Sequence, residues 1–355
     1  MAEVRLDVHA CTIPTDEPES DGTMEWDSTT IVIVEAHAGD VTGIGYTYCE
    51  AVAAELIGSK LAPLVHEDVR ASWLAMNRAV RNAGRPGIAS CAISAVDQAL
   101  WDAKARTLGT SLVDLLGAAH DDVPVYGSGG FCSYSLERLR EQLGGWVSDG
   151  IPRVKMKLGR EPERDPARLD AARQAIGDDT ELFVDANGAF TPRRALAAAE
   201  EYALTWGVTW FEEPVSSGDL AGMRFVREHA PKTIEIAAGE YAYVLENVRD
   251  IAPCVDVLQL DVTRCGGITG VMSASGLASA HSLDVSAHCA PAISAHVFCA
   301  VERRRHLEYF HDHVRVESML FDGVLEPVDG ALWPDRTRNG NGLELKRQEV
   351  ERWAA

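Results

Sequence analysis

The chain has 355 residues, 46% hydrophobic and 25% charged, with a formal net charge of −21. That supplies enough apolar material for one large barrel and a smaller domain. So acidic a surface argues against nucleic acid and anionic membranes as partners. The 8 cysteines are scattered, without a CxxC pair or zinc spacing. No apolar leader opens the chain and no apolar run reaches the length of a membrane span, so a reduced, cytoplasmic setting is expected.

In chain order, Thr29–Ala36 is rich in Ile, Val and Thr and predicts a strand, followed by Gly39, Gly43 and Gly45 in turns. The pattern becomes helical from about Glu50. Ser90–Leu108 carries Ile93, Val96, Leu100, Trp101 and Leu108 at helical spacing, with Gly109 as the stop. Residues 1–122 therefore form an α+β unit.

From Val123 onward, short apolar runs alternate with helical stretches. The runs begin near Val123, Arg153, Leu182, Thr209, Ile234, Val257, Asp284 and His306. Spacings of roughly 22 to 30 residues suit a strand, a helix and two loops each, so the pattern predicts a (β/α)₈ barrel over residues 123–322. Thr191-Pro192 and Asp165-Pro166 supply helix N-caps between runs. An open doubly wound sheet is the alternative, but no GxGxxG opens a helix. Residues 323–355 are turn-rich and are expected to return to the first domain, completing it.

In such a barrel the chemistry sits at the C-terminal strand ends. Lys155 and Lys157 are two apart and share a strand face. Two adjacent ammonium groups disfavour each other's charge, which should lower a lysine pKa toward general-base use. Asp185, Glu212 and Glu240 end three successive runs. Hard oxygen ligands converging there suit one Mg²⁺. Glu213 points away from Glu212 and is expected to pair with a neighbour outside the ligand set. Asp261 and His288 end the next two runs and can form an acid–imidazole pair. Glu308, on the eighth run, is a candidate proton-sharing carboxyl group beside substrate. His311 and His313 form an HxH pattern able to bind a transition metal, and Cys132 and Cys289 are expected as packing residues.

The ordered set of Lys-x-Lys, Asp-x-Asn, Glu-Glu-Pro, Gly-Glu, Asp before Gly-Gly, and Ser-Ala-His resembles the mandelate racemase subgroup of the enolase superfamily. The helix Ala92–Asp102 is similar to that family's stretch before the barrel. The resemblance implies Asp185, Glu212 and Glu240 as Mg²⁺ ligands and Lys157 as the base, with Lys155 adjusting its pKa. It implies His288 as the opposite acid/base held by Asp261, and Glu308 as an acid hydrogen-bonding the substrate carboxylate. Enzymes of that superfamily pair a Lys or His base with Mg²⁺ that stabilises an ene-diolate, so the resemblance implies the same chemistry here. Asn187 and Arg264 fall near the site, and loops Thr15–Asp27 and Tyr46–Ala54 should close over substrate, bringing Asp21 and Trp26 to it.

The cap loop of residues 14–27 is strongly polar. A polyhydroxylated acid fits it better than an aromatic one, because acidic side chains accept hydrogen bonds from sugar hydroxyls. The expected activity is therefore a hydro-lyase converting a sugar acid to a 2-keto-3-deoxy acid. A racemase or epimerase of a 2-hydroxy acid, or a cycloisomerase, is the alternative. A catalytically retired binding barrel would lack a ligand or base, and none is missing. Capped barrels of this kind favour symmetric homo-oligomers.

Overall fold

The structure is a computed structural model and describes residues 4–355. The chain opens with three antiparallel strands, β1 (Val4–Ser20), β2 (Glu25–Ala38) and β3 (Val41–Tyr48). Eight strands then follow in sequence: β4 (Val123–Gly129), β5 (Arg153–Lys157), β6 (Glu181–Asp185), β7 (Val208–Glu212), β8 (Glu235–Ala238), β9 (Val257–Leu260), β10 (Asp284–Ala287) and β11 (Arg304–Phe310). Each is parallel to the next, and β11 pairs with β4 to close the barrel. The eight runs read from sequence start within two residues of these strands.

The barrel interior is filled by side chains beneath the site. Tyr126, Phe183, Trp210, Ala237 and Val257 form one buried cluster. Phe183 stacks on Trp210 with ring centroids 5.3 Å apart, and His306 packs at 4.8 Å against Tyr126. This aromatic floor keeps water from the polar layer above it.

The helix α1 (Ile88–Thr107) joins the cap to the barrel. The small residues Gly43 and Gly45 on β3 make its close approach possible. A Cβ at Gly45 would sit 2.2 Å from the Ala95 carbonyl oxygen, and one at Gly43 2.2 Å from that of Ala99. Three buried polar side chains of α1, Ser94, Asp97 and Gln98, bond to the segment after β9. Ser94 Oγ accepts from the Gly266 and Gly267 amides, and Gln98 donates to the Val262 carbonyl. Asp97 accepts from the amide and hydroxyl of Thr269, in the first turn of α2 (Gly267–Ala280), where a carboxylate complements the helix dipole. The C-terminal end returns to the cap: the Thr12 amide donates to the Trp353 carbonyl at 3.0 Å.

Three local expectations are corrected. Residues Thr15–Asp27 are a hairpin rather than a loop, with Glu19 opposite Trp26 and Ser20 opposite Glu25. Only the tip, closed by Asp21 N–H donating to Met24 O, turns. Polar composition hides the strands because this ribbon projects from the sheet and has no alternating apolar face. Likewise Tyr46 and Tyr48 lie within β3 and are buried. Asp165 is the first residue of its helix rather than an N-cap, and its carboxylate accepts from the Gly159 amide, whereas Thr191 caps its helix as expected.

Gly45→Ala should destabilise the protein by about 1–3 kcal/mol, because its methyl meets backbone that cannot yield. Gly58→Ala, where a Cβ meets nothing within 4 Å, serves as the control and should be neutral or slightly stabilising. Denaturant midpoints of the two variants check this, and equal stability would refute the close-approach argument.

Candidate active site

Barrel register brings the charged strand ends together. Lys157 is the Cα partner of Asp185, Asp185 of Glu212, and Glu212 of Ala237. Glu240 follows β8 after Gly239, whose φ of +135 turns the chain where a Cβ would lie 2.3 Å from the Gln259 carbonyl. Asp185, Glu212 and Glu240 each offer an oxygen, and the three lie within 4.8 Å of one another, all buried. Beside them Glu213 Oε1 is buried without a hydrogen-bond partner. Burial and the Glu240 charge push the Glu213 carboxyl well above the usual carboxylate range. Clustered hard oxygens beside a buried carboxyl oxygen that no protein group satisfies fit a divalent cation such as Mg²⁺. The neighbour expected to pair with Glu213 is not found at Oε1; the strand ends at Glu212, and a φ of +37 turns the backbone at Glu213.

Lys155 lies one layer deeper, fully buried. Its Nζ is 2.6 Å from Glu212, 2.8 Å from Glu308 and 3.4 Å from Asp185. Lys157 Nζ donates to Asp185 Oδ2 at 2.5 Å. The expected lowering of the lysine pKa values is overturned for this arrangement. Burial and the neighbouring ammonium do pull Lys157 down, but Asp185, Glu308 and Glu212 outweigh them and hold it above its ordinary value. The same carboxylates raise Lys155 well above its own against burial. Two ammonium groups facing several carboxylates are governed by the majority charge. A cation sharing Asp185 and Glu212 would reverse that balance, because bound ions are the largest local charges in such sites.

Across the mouth, His288 Nδ1 is 2.8 Å from Asp261 Oδ2, while its Nε2 lies 3.1 Å from Glu240. Asp261 also accepts from the Thr263 amide and hydroxyl. Burial opposes the imidazolium, yet Cys289, Glu240, Glu308 and Asp261 together raise the His288 pKa well above its ordinary value. Glu308 accepts from Ser128 Oγ at 2.6 Å. Burial raises the Glu308 carboxyl, but Lys155, His288 and Lys157 outweigh it and hold the group ionised, so in this arrangement it is an acceptor rather than the expected acid.

The cap closes over this mouth. A Cβ on Gly22 at the hairpin tip would lie 2.2 Å from the Ala186 carbonyl and 2.7 Å from that of Leu158, the residues after Asp185 and Lys157. Trp26 packs edge-on against Phe131 with centroids 5.5 Å apart. The acidic hairpin side chains are spent on the protein itself. Asp21 accepts from the Thr23 and Met24 amides, Glu19 from Trp26, and Asp16 meets His311 and Arg315. Asp21 thus serves the hairpin turn through Oδ1, while Glu19 keeps its Oε1 without a partner. Arg264 is also engaged, between Glu240 at 3.3 Å and Asp261 at 3.4 Å. Asn187, with φ +45, keeps a buried Oδ1 without a partner.

The HxH pattern does not form a metal site. His311 pairs with Asp16, whereas His313 stacks on Tyr48 with centroids 3.4 Å apart, because both open α3 (His311–Leu320) and diverge around its first turn. Among the described residues, only the carboxylate trio and the set His288, Cys289 and Glu308 group as candidate metal ligands. Cys289, expected as a packing residue, is more than that: its Sγ contacts His288 Nε2 at 3.4 Å and Glu308 Oε2 at 3.3 Å. Adjacency to the strand-end histidine is the only sequence signal for it.

Comparison with known proteins agrees with this architecture. Residues 138–350 match the family model described as enolase C-terminal domain-like, and residues 8–117 match the mandelate racemase / muconate lactonizing enzyme N-terminal domain. A mandelate racemase/muconate lactonizing enzyme-like protein from Rubrobacter xylanophilus superposes with a TM-score of 0.98 at 56% identity, covering 100% of this chain and 99% of that one. The 3,6-anhydro-alpha-L-galactonate cycloisomerase of Streptomyces coelicolor is 30% identical over 98% of both chains. The L-talarate/galactarate dehydratase of Salmonella typhimurium is 30% identical over 91% of this chain and 82% of its own. Its structure, solved with Mg and L-lyxarohydroxamate, covers 100% of this chain and 93% of that one, with a TM-score of 0.90 at 28% identity. The two domain matches, together covering most of the chain, and the barrel with its strand-capped N-terminal domain show that it belongs to the mandelate racemase/muconate lactonizing enzyme family of the enolase superfamily.

Proposed function

We propose that this chain removes the proton alpha to a sugar-acid carboxylate in a Mg²⁺-dependent reaction, and that the enolate then expels a β-hydroxyl to give a 2-keto-3-deoxy acid. The observation that carries the reading is a cluster of three carboxylates flanked by Lys157 on one side and an Asp261-held His288 on the other. Relatives that are dehydratases of acid sugars, one of them solved with Mg, support it.

Asp185, Glu212 and Glu240 would hold Mg²⁺, which when bound would supply a Lewis acid to offset the second negative charge of the enolate. Lys157 accepts the α-proton at Nζ, and Lys155 fixes the neighbouring carboxylates in place. On the opposite side His288 gives its Nε2 proton to the departing hydroxyl. Asp261 holds the other ring nitrogen as N–H, which sets the tautomer and supports the imidazolium. Glu308 orients Lys155 and Cys289 beside the substrate. Asn187 offers its unpartnered Oδ1 to a substrate hydroxyl, and Trp26 with Phe131 walls the mouth against water. Asp21 acts indirectly, by closing the hairpin turn that seats Gly22 on the barrel.

Isomerisation by the same groups is the second reading, favoured by likeness to a cycloisomerase along nearly the whole chain. The branch point is whether a proton from His288 reaches a leaving hydroxyl or the enolate carbon, or is not used.

Incubation with Mg²⁺ and a panel of aldonic and aldaric acids should yield a 2-keto acid from at least one member, with loss of activity on chelation and recovery on Mg²⁺ addition. An isomer without keto acid would select the second reading, and silence across the panel would sink both. Lys157→Ala should lower turnover and α-proton exchange with deuterated solvent by about 10²–10⁴-fold, the usual worth of a positioned base; full exchange in that variant would remove Lys157 from its role. His288→Asn should abolish dehydration, whereas retained turnover would point to cycloisomerisation without a second proton carrier.

A further inference from the structure

We infer that His288 Nε2, Cys289 Sγ and Glu308 Oε2 form a second, soft-metal site that takes Zn²⁺ or Co²⁺ beside the carboxylate trio. The three ligand atoms are 3.4 Å (N to S), 3.3 Å (S to O) and 3.4 Å (N to O) apart. Tetrahedral zinc with ordinary Zn–N, Zn–S and Zn–O lengths separates such atoms by about 3.4–3.6 Å. The triangle is thus nearly the size of one face of that tetrahedron, with Glu240 Oε2 a further 3.1 Å from the His288 nitrogen.

Each ligand is held from behind. Asp261 takes Nδ1 of His288, the carboxylate–histidine arrangement that aims Nε2 at a metal and raises its basicity. Ser128 and Lys155 take the other oxygen of Glu308, leaving Oε2 toward the sulfur. Cys289 has a φ of +52, a backbone state a non-glycine residue adopts only when its surroundings enforce it. Ser294 Oγ donates to its carbonyl, and the following Ala290 amide donates to His313. His288, Cys289 and Glu308 are all buried.

The donor set separates this site from the one beside it. Three carboxylates favour a hard ion, whereas thiolate and imidazole select zinc and related metals over Mg²⁺. On binding, the Cys289 S–H and His288 Nε2–H bonds break, metal–sulfur and metal–nitrogen bonds form and the protons pass to bulk solvent, with Nδ1–H kept by Asp261 and nothing oxidised. An ion there also occupies the His288 lone pair. Inhibition of turnover by Zn²⁺ follows, a consequence that rests on the proposed function, whereas the site itself does not.

The test is binding. Co²⁺ titrated into the protein in saturating Mg²⁺ should give a sulfur-to-cobalt charge-transfer band in the near ultraviolet that saturates at one equivalent, and Cys289→Ser should lose that band. X-ray absorption of the Zn²⁺-loaded wild-type protein should show one sulfur at about 2.3 Å, which keeps the proposal testable if the variant does not fold. A band that is absent from the wild type or persists in Cys289→Ser, or an oxygen- and nitrogen-only shell around zinc, would overturn the assignment.

Discussion

The constraint on which the rest depends is the burial of several carboxylates at one end of a closed barrel. Asp185, Glu212, Glu213, Glu240 and Glu308 are all nearly inaccessible to water. Ionised carboxylates in such a place are costly unless paired or bound to a metal. The chain supplies Lys155 and Lys157 on one side and His288 with Arg264 on the other, and still leaves Glu213 Oε1 unpartnered. Burial and the Asp185 charge push Glu212 up to about 8 despite Lys155. The protein's own cations therefore leave at least one carboxyl oxygen of the cluster without a partner. A site built this way is preorganised for an additional positive charge, which is the physical basis of metal affinity here.

Holding such a cluster requires rigid support from two directions. Below it, the aromatic layer of Tyr126, Phe183 and Trp210 excludes water, and Trp210 also donates to Glu212 Oε2 at 3.1 Å. From the cap, α1 fixes the loop that follows Asp261 through Ser94, Asp97 and Gln98. The cap therefore does more than cover the mouth. It braces the loop that follows Asp261, the residue whose carboxylate holds His288.

Strand starts and strand-end chemistry are legible because both are written in local order. A short apolar run followed by a charged residue and a turn needs no tertiary information, and Asp185, Glu212, Glu240, Asp261 and His288 are each located that way. What fails depends on several elements at once. The lysine pair reads as two like charges along one strand, while its protonation is governed by acids on β6, β7 and β11. Cys289 looks inert in the sequence because its second partner, Glu308, lies on the next strand and meets it only in the folded barrel. The HxH pattern has ligand spacing in sequence, but helical geometry sends its two rings to Asp16 and Tyr48.

The cap hairpin shows how far composition can carry a specificity argument. By composition its acids count as acceptors for a polyhydroxylated substrate, yet Asp16, Glu19 and Asp21 already accept bonds from His311, Trp26 and the turn itself. Their contribution is to stiffen a ribbon whose glycine tip touches the backbone just after Lys157 and Asp185. Glu19 is the exception in kind. It is fully buried, burial and Asp312 push it up to about 8, and its Oε1 has no partner. A neutral carboxyl group donates as well as accepts. The carboxyl oxygen that the hairpin leaves unsatisfied is thus the Oε1 of one buried acid, and the charge of Asp21 and Asp16 is directed into the turn and into His311 and Arg315 rather than outward.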